Sequence, residues 1–475
     1  MAKLPGRLRR SLLLATATAA AAVLASGCST STPTATASPP PASVVWMQGF
    51  DSPGTPPQYN RVGVLKVGSG NAKNVLVLEP GTSAGSAYFV PLAKWIVARA
   101  PGWQVWSVER RENLLEDQSV LNRFKSGQAT STQLFNYYLG YIKDTSVQPH
   151  FRIIPDATVA FAKQWGMNVA VQDLHQVIGS ARKLGGKVVL GGHSLGGSVV
   201  TAYATWDFNG QAGAKDLAGL VYIDGGSDPV PVTSAQATQE MQTLDATSAS
   251  PWLSFGGITA PYAGVFSASG SAAALLDPNA PSLGQTSGLL PASIVPPVRV
   301  TNVGQYGYAL NVGTSPASLI AAQAHLGTGL TATGPVHGWD GTGALTPIKR
   351  FATMFSGAGY QSVDGTEWYF PQRLTDDTGA VANGNANPAQ GVLDVNATMG
   401  HELPQNLRIY AFGAALGGQG VLDTATLLAQ QSHIPAGNLT LVNRQTTYAH
   451  NDPAGAYPNN AFFDHLVPFL GQVGS

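Results

Sequence analysis

Apolar residues recur along this chain in two rhythms that take turns. Short runs at 44–47, 62–67, 75–78, 105–108, 187–190 and 220–223 read as strands, those at 75–78 and 187–190 as buried ones. Between them, 87–100, 168–184 and 196–206 carry the three-and-four spacing of helices. Strand alternating with helix predicts a mostly parallel sheet covered on both faces, and the first strands suit an antiparallel edge leading into it. The rhythm stops after Asp224 and returns near Leu407, with strands at 408–412 and 439–442 and helices at 422–431 and 460–470.

Two stretches interrupt the alternation. Residues 225–404 are rich in Gly, Ala, Ser, Thr and Pro, with aromatics at Trp252, Tyr262, Trp339 and Trp368 to Phe370. Because the sheet pattern resumes beyond it, this stretch is expected to be a cap inserted between strands 6 and 7. A smaller insertion, 112–155, contains one helical segment at 134–139. The core is thus expected in two parts, 44–224 and 405–475.

Composition narrows the class. The 475 residues are 44% hydrophobic and only 11% charged, with 26 basic against 26 acidic side chains, so no basic surplus points to nucleic acid. Lys3, Arg7, Arg9 and Arg10 precede an apolar stretch that ends in small residues, the pattern of an export signal. The stretch closes on Cys28, the single cysteine, in a sequence that resembles a bacterial lipobox. Residues 1–28 therefore read as a lipoprotein signal with Cys28 as the lipidated residue, anchoring an extracytoplasmic protein to a membrane. The Ser/Thr/Pro-rich residues 29–43 read as a tether.

The candidate chemistry centres on Gly192-His193-Ser194-Leu195-Gly196, placed between a strand and a helix. A strained strand-to-helix turn exposes its central serine only if the neighbours one turn away lack side chains, and glycine stands at both positions. A serine hydroxyl needs an adjacent base, and imidazole titrates in the right range.

With this elbow in this setting, the chain resembles the α/β-hydrolase family over 44–224 and 407–475. The resemblance implies the order serine, acid, histidine, and a serine rather than an aspartate at the elbow resembles the esterase and lipase branch. It assigns Ser194 as nucleophile and His450, in the loop after the last strand, as base, with His465 as rival. His193 is read as shaping the turn, and His325 with the remaining histidines as structural or surface residues. The acid is open. The loop after Phe412, Gly413 to Gly420, lacks the carboxylate the family often carries there. Asp224, at the end of the sixth strand, is preferred over Asp423, and Asp228 and Asp452 stand further off. The oxyanion donors implied are the N–H groups of Leu195 and of Thr82, in Glu79-Pro80-Gly81-Thr82-Ser83, where Pro80-Gly81 departs from the family's His-Gly. No metal or organic cofactor is implied. The expected function is hydrolysis of carboxylic esters, of a small molecule or a lipid. Other acyl hydrolysis or transfer on the same triad, and an inactive binding protein on this scaffold, are the alternatives.

Overall fold

The computed structural model describes residues 44–475; the export signal, Cys28 and the tether lie outside the described residues. Eight strands form the main sheet: β1 (Val44–Gln48), β2 (Arg61–Val67), β3 (Asn74–Glu79), β4 (Trp103–Glu109), β5 (Val188–His193), β6 (Gly219–Ile223), β7 (Arg408–Gly413) and β8 (Leu439–Asn443). Their spatial order is β1-β2-β4-β3-β5-β6-β7-β8. Strand β2 pairs antiparallel with β1 and β4, and every later pairing is parallel. This is the α/β-hydrolase sheet, with the antiparallel edge where the apolar pattern places it.

Alternation along each strand divides the core in two, because successive side chains point to opposite faces. On one face Val75, Val77, Val188, Leu190, Leu220, Tyr222, Ile409 and Ala411 pack together. They meet the buried sides of α2 (Met167–Arg182), α3 (Leu195–Thr205) and α4 (Gly418–Gln431). On the other, Leu76, Leu78, Val189, Val221, Ile223, Tyr410 and Phe412 meet α1 (Val90–Arg99) and the closing helix α5 (Ala461–Gly474). The expected helix at 87–100 begins as a 3-10 turn, Ser86–Phe89, before the α-helix.

The stretch between β6 and β7 is helical, with Ala260–Leu276 its longest helix, and carries two small hairpins. It closes no separate core. Trp252, Trp368, Tyr369 and Phe370 are buried in the cluster on one sheet face, and Phe351 and Met354 in the cluster on the other. Among the described residues no helix is long and apolar enough to cross a membrane.

One buried ion pair ties residues 50–60 to the core. The Arg111 guanidinium donates to both oxygens of Asp173 on α2, to Asn60 Oδ1 at 2.9 Å and to the Phe50 carbonyl at 2.9 Å. Removing one partner of such a pair leaves an uncompensated buried charge, which costs about 3–5 kcal/mol. Asp173→Ala is therefore expected to lower the urea unfolding free energy by about that amount, and adding Arg111→Met to recover much of it. A loss under about 1 kcal/mol for the single variant would refute this account.

Candidate active site

Strand β5 delivers Ser194 at its C-terminal end, and α3 begins at the next residue. The Ser194 backbone lies at φ 55°, ψ −127°, a region costly for a residue with a Cβ and stored only where the surroundings enforce it. Here the Ser194 N–H donates to the Ile223 carbonyl at 3.0 Å, and a Cβ at Gly192 would overlap the Gly196 carbonyl. The glycine is thus required by the turn. Ser194 is partly exposed at the C-terminal end of this central strand.

Asp224 follows β6, and its carboxylate is enclosed. Oδ2 accepts from His450 Nδ1 at 2.7 Å and from the Leu416 N–H at 3.2 Å. Oδ1 accepts from the N–H groups of Ala414 at 2.7 Å, Gly417 at 2.9 Å and Gly418 at 3.2 Å. The four N–H groups come from the glycine-rich loop after β7, where the sequence lacks a carboxylate. Burial opposes the charge on Asp224, but the His450 hydrogen bond and charge and the Ala414 N–H outweigh it and hold this carboxyl below its ordinary range. Asp423, by contrast, is exposed on α4 and accepts from Gln419 Nε2 at 2.9 Å. Asp228 is exposed and caps the Val230 N–H.

His450 is 2% exposed, with Nδ1–H given to Asp224, which leaves Nε2 as the acceptor position. Ser194 Oγ and His450 Nε2 make no hydrogen bond to each other in this structure. What brings their chain segments together is His193, the residue before the serine. Its Nε2 lies 2.9 Å from the His450 carbonyl, to which it donates, and the two rings are 4.3 Å apart. Burial, and next the neighbouring His450 charge, push His193 down to about 3, so it is a neutral donor. Tyr88 lies under it, and the Tyr88 hydroxyl donates to Asn451 Oδ1 at 2.9 Å. His193 was expected only to shape the turn; it also holds the His450 loop. His465 is exposed on α5 and bonds its own helix.

The loop after β3 passes directly over the serine: a Cβ on Gly81 would stand 2.9 Å from Ser194 Cβ. The N–H groups of Thr82 and Leu195 donate to no protein acceptor; Leu195 is the first residue of α3, whose N–H has no partner within the helix. Arg110 grips this loop from behind. Nη2 donates to the Pro80 carbonyl at 2.5 Å and Nη1 to the Gly81 carbonyl at 3.3 Å, while Nε binds Glu79 at 2.8 Å and Nη1 binds Glu367 at 3.1 Å. Glu367 lies in the inserted stretch, and its carbonyl accepts from Ser83 Oγ at 2.7 Å. Neither Arg110 nor Glu367 was singled out in the sequence. The signal was the run Glu109-Arg110-Arg111-Glu112 at a strand end in a chain with so few charges.

These features define the class: an α/β-hydrolase fold with a serine elbow after β5, a carboxylate after β6 and a histidine after β8. No protein-family model matches the sequence, and no curated protein matches it. Among solved structures, a candidate lipase from Sulfolobus solfataricus is similar at 13% identity over 90% of this chain and 93% of that one, with a TM-score of 0.46. A monoglyceride lipase from Saccharomyces cerevisiae is similar at 9% identity over 87% and 95%, TM-score 0.35. A carboxylesterase of the thaumarchaeon Nitrososphaera gargenis is similar at 11% identity over 90% and 98%, TM-score 0.37. The chemistry rests on this chain's own side chains.

Beneath the Arg110 grip lie further carboxyls. Glu109 is fully buried, one oxygen taken by the N–H and hydroxyl of Ser86 and the other, Oε1, without a partner. Burial, and next the charge of Glu367, push Glu109 well above its ordinary 4.5. Such a group keeps its proton in the folded protein where the unfolded chain has lost it. Its contribution therefore falls as pH rises from about 4.5 through the folded value, by about 1.4 kcal/mol per unit of difference. Glu109→Gln removes that titration. Urea unfolding at pH 4.5 and pH 8 should show the variant losing less stability than the parent across the interval; equal losses would contradict it.

Proposed function

We propose that this chain is a serine hydrolase that cleaves carboxylic esters through an acyl-enzyme on Ser194. The observation that carries the reading is the 2.7 Å contact of His450 Nδ1 with the enclosed Asp224 carboxylate, on a loop held against the serine elbow through His193. With Nδ1–H fixed on Asp224, the imidazole presents its Nε2 lone pair as base.

In the reaction, Ser194 Oγ attacks the ester carbonyl while its proton passes to His450 Nε2. The imidazolium is stabilised by Asp224, whose depressed proton affinity keeps it ionised, so it orients and does not take the proton. The negative charge that develops on the carbonyl oxygen meets the free N–H groups of Leu195 and Thr82, donors typically worth about a hundred- to a thousandfold in rate each. His450 then returns the proton to the departing alcohol, and water repeats the sequence to release the acid.

The aromatics of the inserted stretch do not favour a lipid substrate over a small ester, because Trp252 and Trp368 to Phe370 are spent in the core. The export pattern and Cys28 support an anchored, extracytoplasmic enzyme acting on a small-molecule or lipid ester. Fluorophosphonate labelling tests the chemistry. One equivalent should attach to the parent and none to Ser194→Ala, whereas an unlabelled parent would overturn the reading. Hydrolysis of p-nitrophenyl esters of increasing chain length then sets the acyl preference. Asp224→Asn should lower kcat at least a hundredfold and Asp423→Asn should leave it within twofold; the reverse pattern would remove Asp224 from the mechanism.

A further inference from the structure

A second histidine–aspartate pair stands two residues along the same loop. Asp452, fully buried, accepts from His325 Nδ1 at 2.5 Å and from the Ala449 N–H at 2.7 Å on Oδ2. Its Oδ1 accepts from the His325 N–H at 3.0 Å and Thr346 Oγ1 at 2.7 Å. Of these partners only the imidazole can carry a positive charge, so His325 is the one group bonded to Asp452 that can compensate a buried carboxylate. His325 and Thr346 come from the inserted stretch, and Ala449 immediately precedes His450.

We propose that His325 is a positioning residue for the base: through Asp452 it fixes the Ala449 N–H, and with it the backbone that carries His450. This rests on the assignment of His450 as base. The surrounding contacts fit a clamp with this as its charged bolt. The Asn451 N–H donates to the Gln323 carbonyl at 3.2 Å, and Asn451 Nδ2 to the Ala321 carbonyl at 3.1 Å, so residues 321–325 lie along 449–452. On the loop's inner side His450 faces Asp224 and its carbonyl faces His193, while Tyr88 binds Asn451. Those contacts bind residues 450 and 451, and Asp452 binds 449. The His325 ring is 40% exposed, so its protonation is open to solvent. Its hydrogen bond to Asp452 raises its proton affinity above the ordinary 6.5 against the pull of burial. The titratable and charged groups about this stretch are Asp452, Tyr448, His450, Tyr88, His193, Asp224, Arg444 and Asp464, and of these Asp452 is the charge that acts on the ring.

The charged bond is complete below about pH 6.5 and is lost as pH rises through the folded-state pKa of His325. His325→Phe, which keeps a ring but offers no donor, should lower kcat for a p-nitrophenyl ester about tenfold or more with KM within twofold. His325→Gln, which keeps a neutral donor, should recover part of that loss and abolish the alkaline limb that His325 contributes to the pH profile. Asp452→Asn should lower the His325 pKa, read by its imidazole resonances. The downfield proton of the His450–Asp224 hydrogen bond should broaden or shift in His325→Phe. These two resonance readouts need no turnover, so a parent that neither labels nor hydrolyses would refute the ester-hydrolase reading while leaving the clamp itself measurable. Unchanged kcat and an unchanged His450 resonance in a folded His325→Phe protein would overturn the proposal.

Discussion

Five hydrogen bonds converge on the carboxylate of Asp224, and the arrangement of the site depends on them. Four are backbone N–H groups of the loop after β7 and the fifth is His450 Nδ1. A buried carboxylate is tolerable only where donors replace the water it has lost, and bonds to an ionised acceptor are about twice as strong as neutral ones. The loop can supply so many N–H groups because it is nearly bare of side chains. A Cβ at Gly417 would stand 3.0 Å from the Asp224 carbonyl carbon and oxygen, and Gly418 has φ +51°. The glycines after Phe412 and the carboxylate after β6 are therefore two halves of one device: the loop that lacks a carboxylate holds the carboxylate of the neighbouring strand.

The inserted stretch enters the site at two points and in the same manner. Through Glu367 it shares Arg110, which fixes the carbonyl oxygens of Pro80 and Gly81. In a trans peptide the N–H points opposite to the C=O, so holding the Gly81 carbonyl toward the guanidinium turns the Thr82 N–H of the same peptide away from it, and that N–H has no protein acceptor. Through residues 321–325 it lies along the histidine loop. A segment that only covered the site would touch the loops through apolar side chains. This one reaches them through buried ions and backbone hydrogen bonds, whose geometry is directional and whose loss is costly.

The sheet was legible from the chain because its signals are local. Runs such as 75–78 and 188–190 are apolar at every position, and each strand divides between two clusters with period two. The elbow was legible for the same reason, since Gly192 and Gly196 answer clashes within a few residues of Ser194. Asp224 could be preferred over Asp423 because one sits at a strand end and the other at the start of the helix expected at 422–431, which in the structure begins at Gly418, but nothing local showed the ring of donors around Asp224. His193, Arg110 and His325 escaped for one physical reason. Their partners lie 257 residues away in the cases of His450 and Glu367, and 127 in the case of Asp452. A hydrogen bond of that span leaves no periodicity, and the only trace is a charged or titratable side chain where the chain is otherwise apolar.

That trace has a general meaning in this protein. With so few charges, surface demand alone would place them all outside, yet Glu79, Arg110, Arg111, Asp173, Glu367 and Asp452 are buried. Buried ions are poor contributors to net stability, because desolvation consumes most of their attraction. What they provide is a fixed geometry, since a misplaced partner strands a charge in an apolar interior. Several of these groups end on the loop of Thr82 and the loop of His450, which in the proposed reaction carry an oxyanion donor and the base, parts that such a reaction needs aligned to within fractions of an ångström. The core apolar clusters hold the sheet together through interactions that tolerate small shifts. The buried ions impose the stricter condition, and they sit where that condition matters.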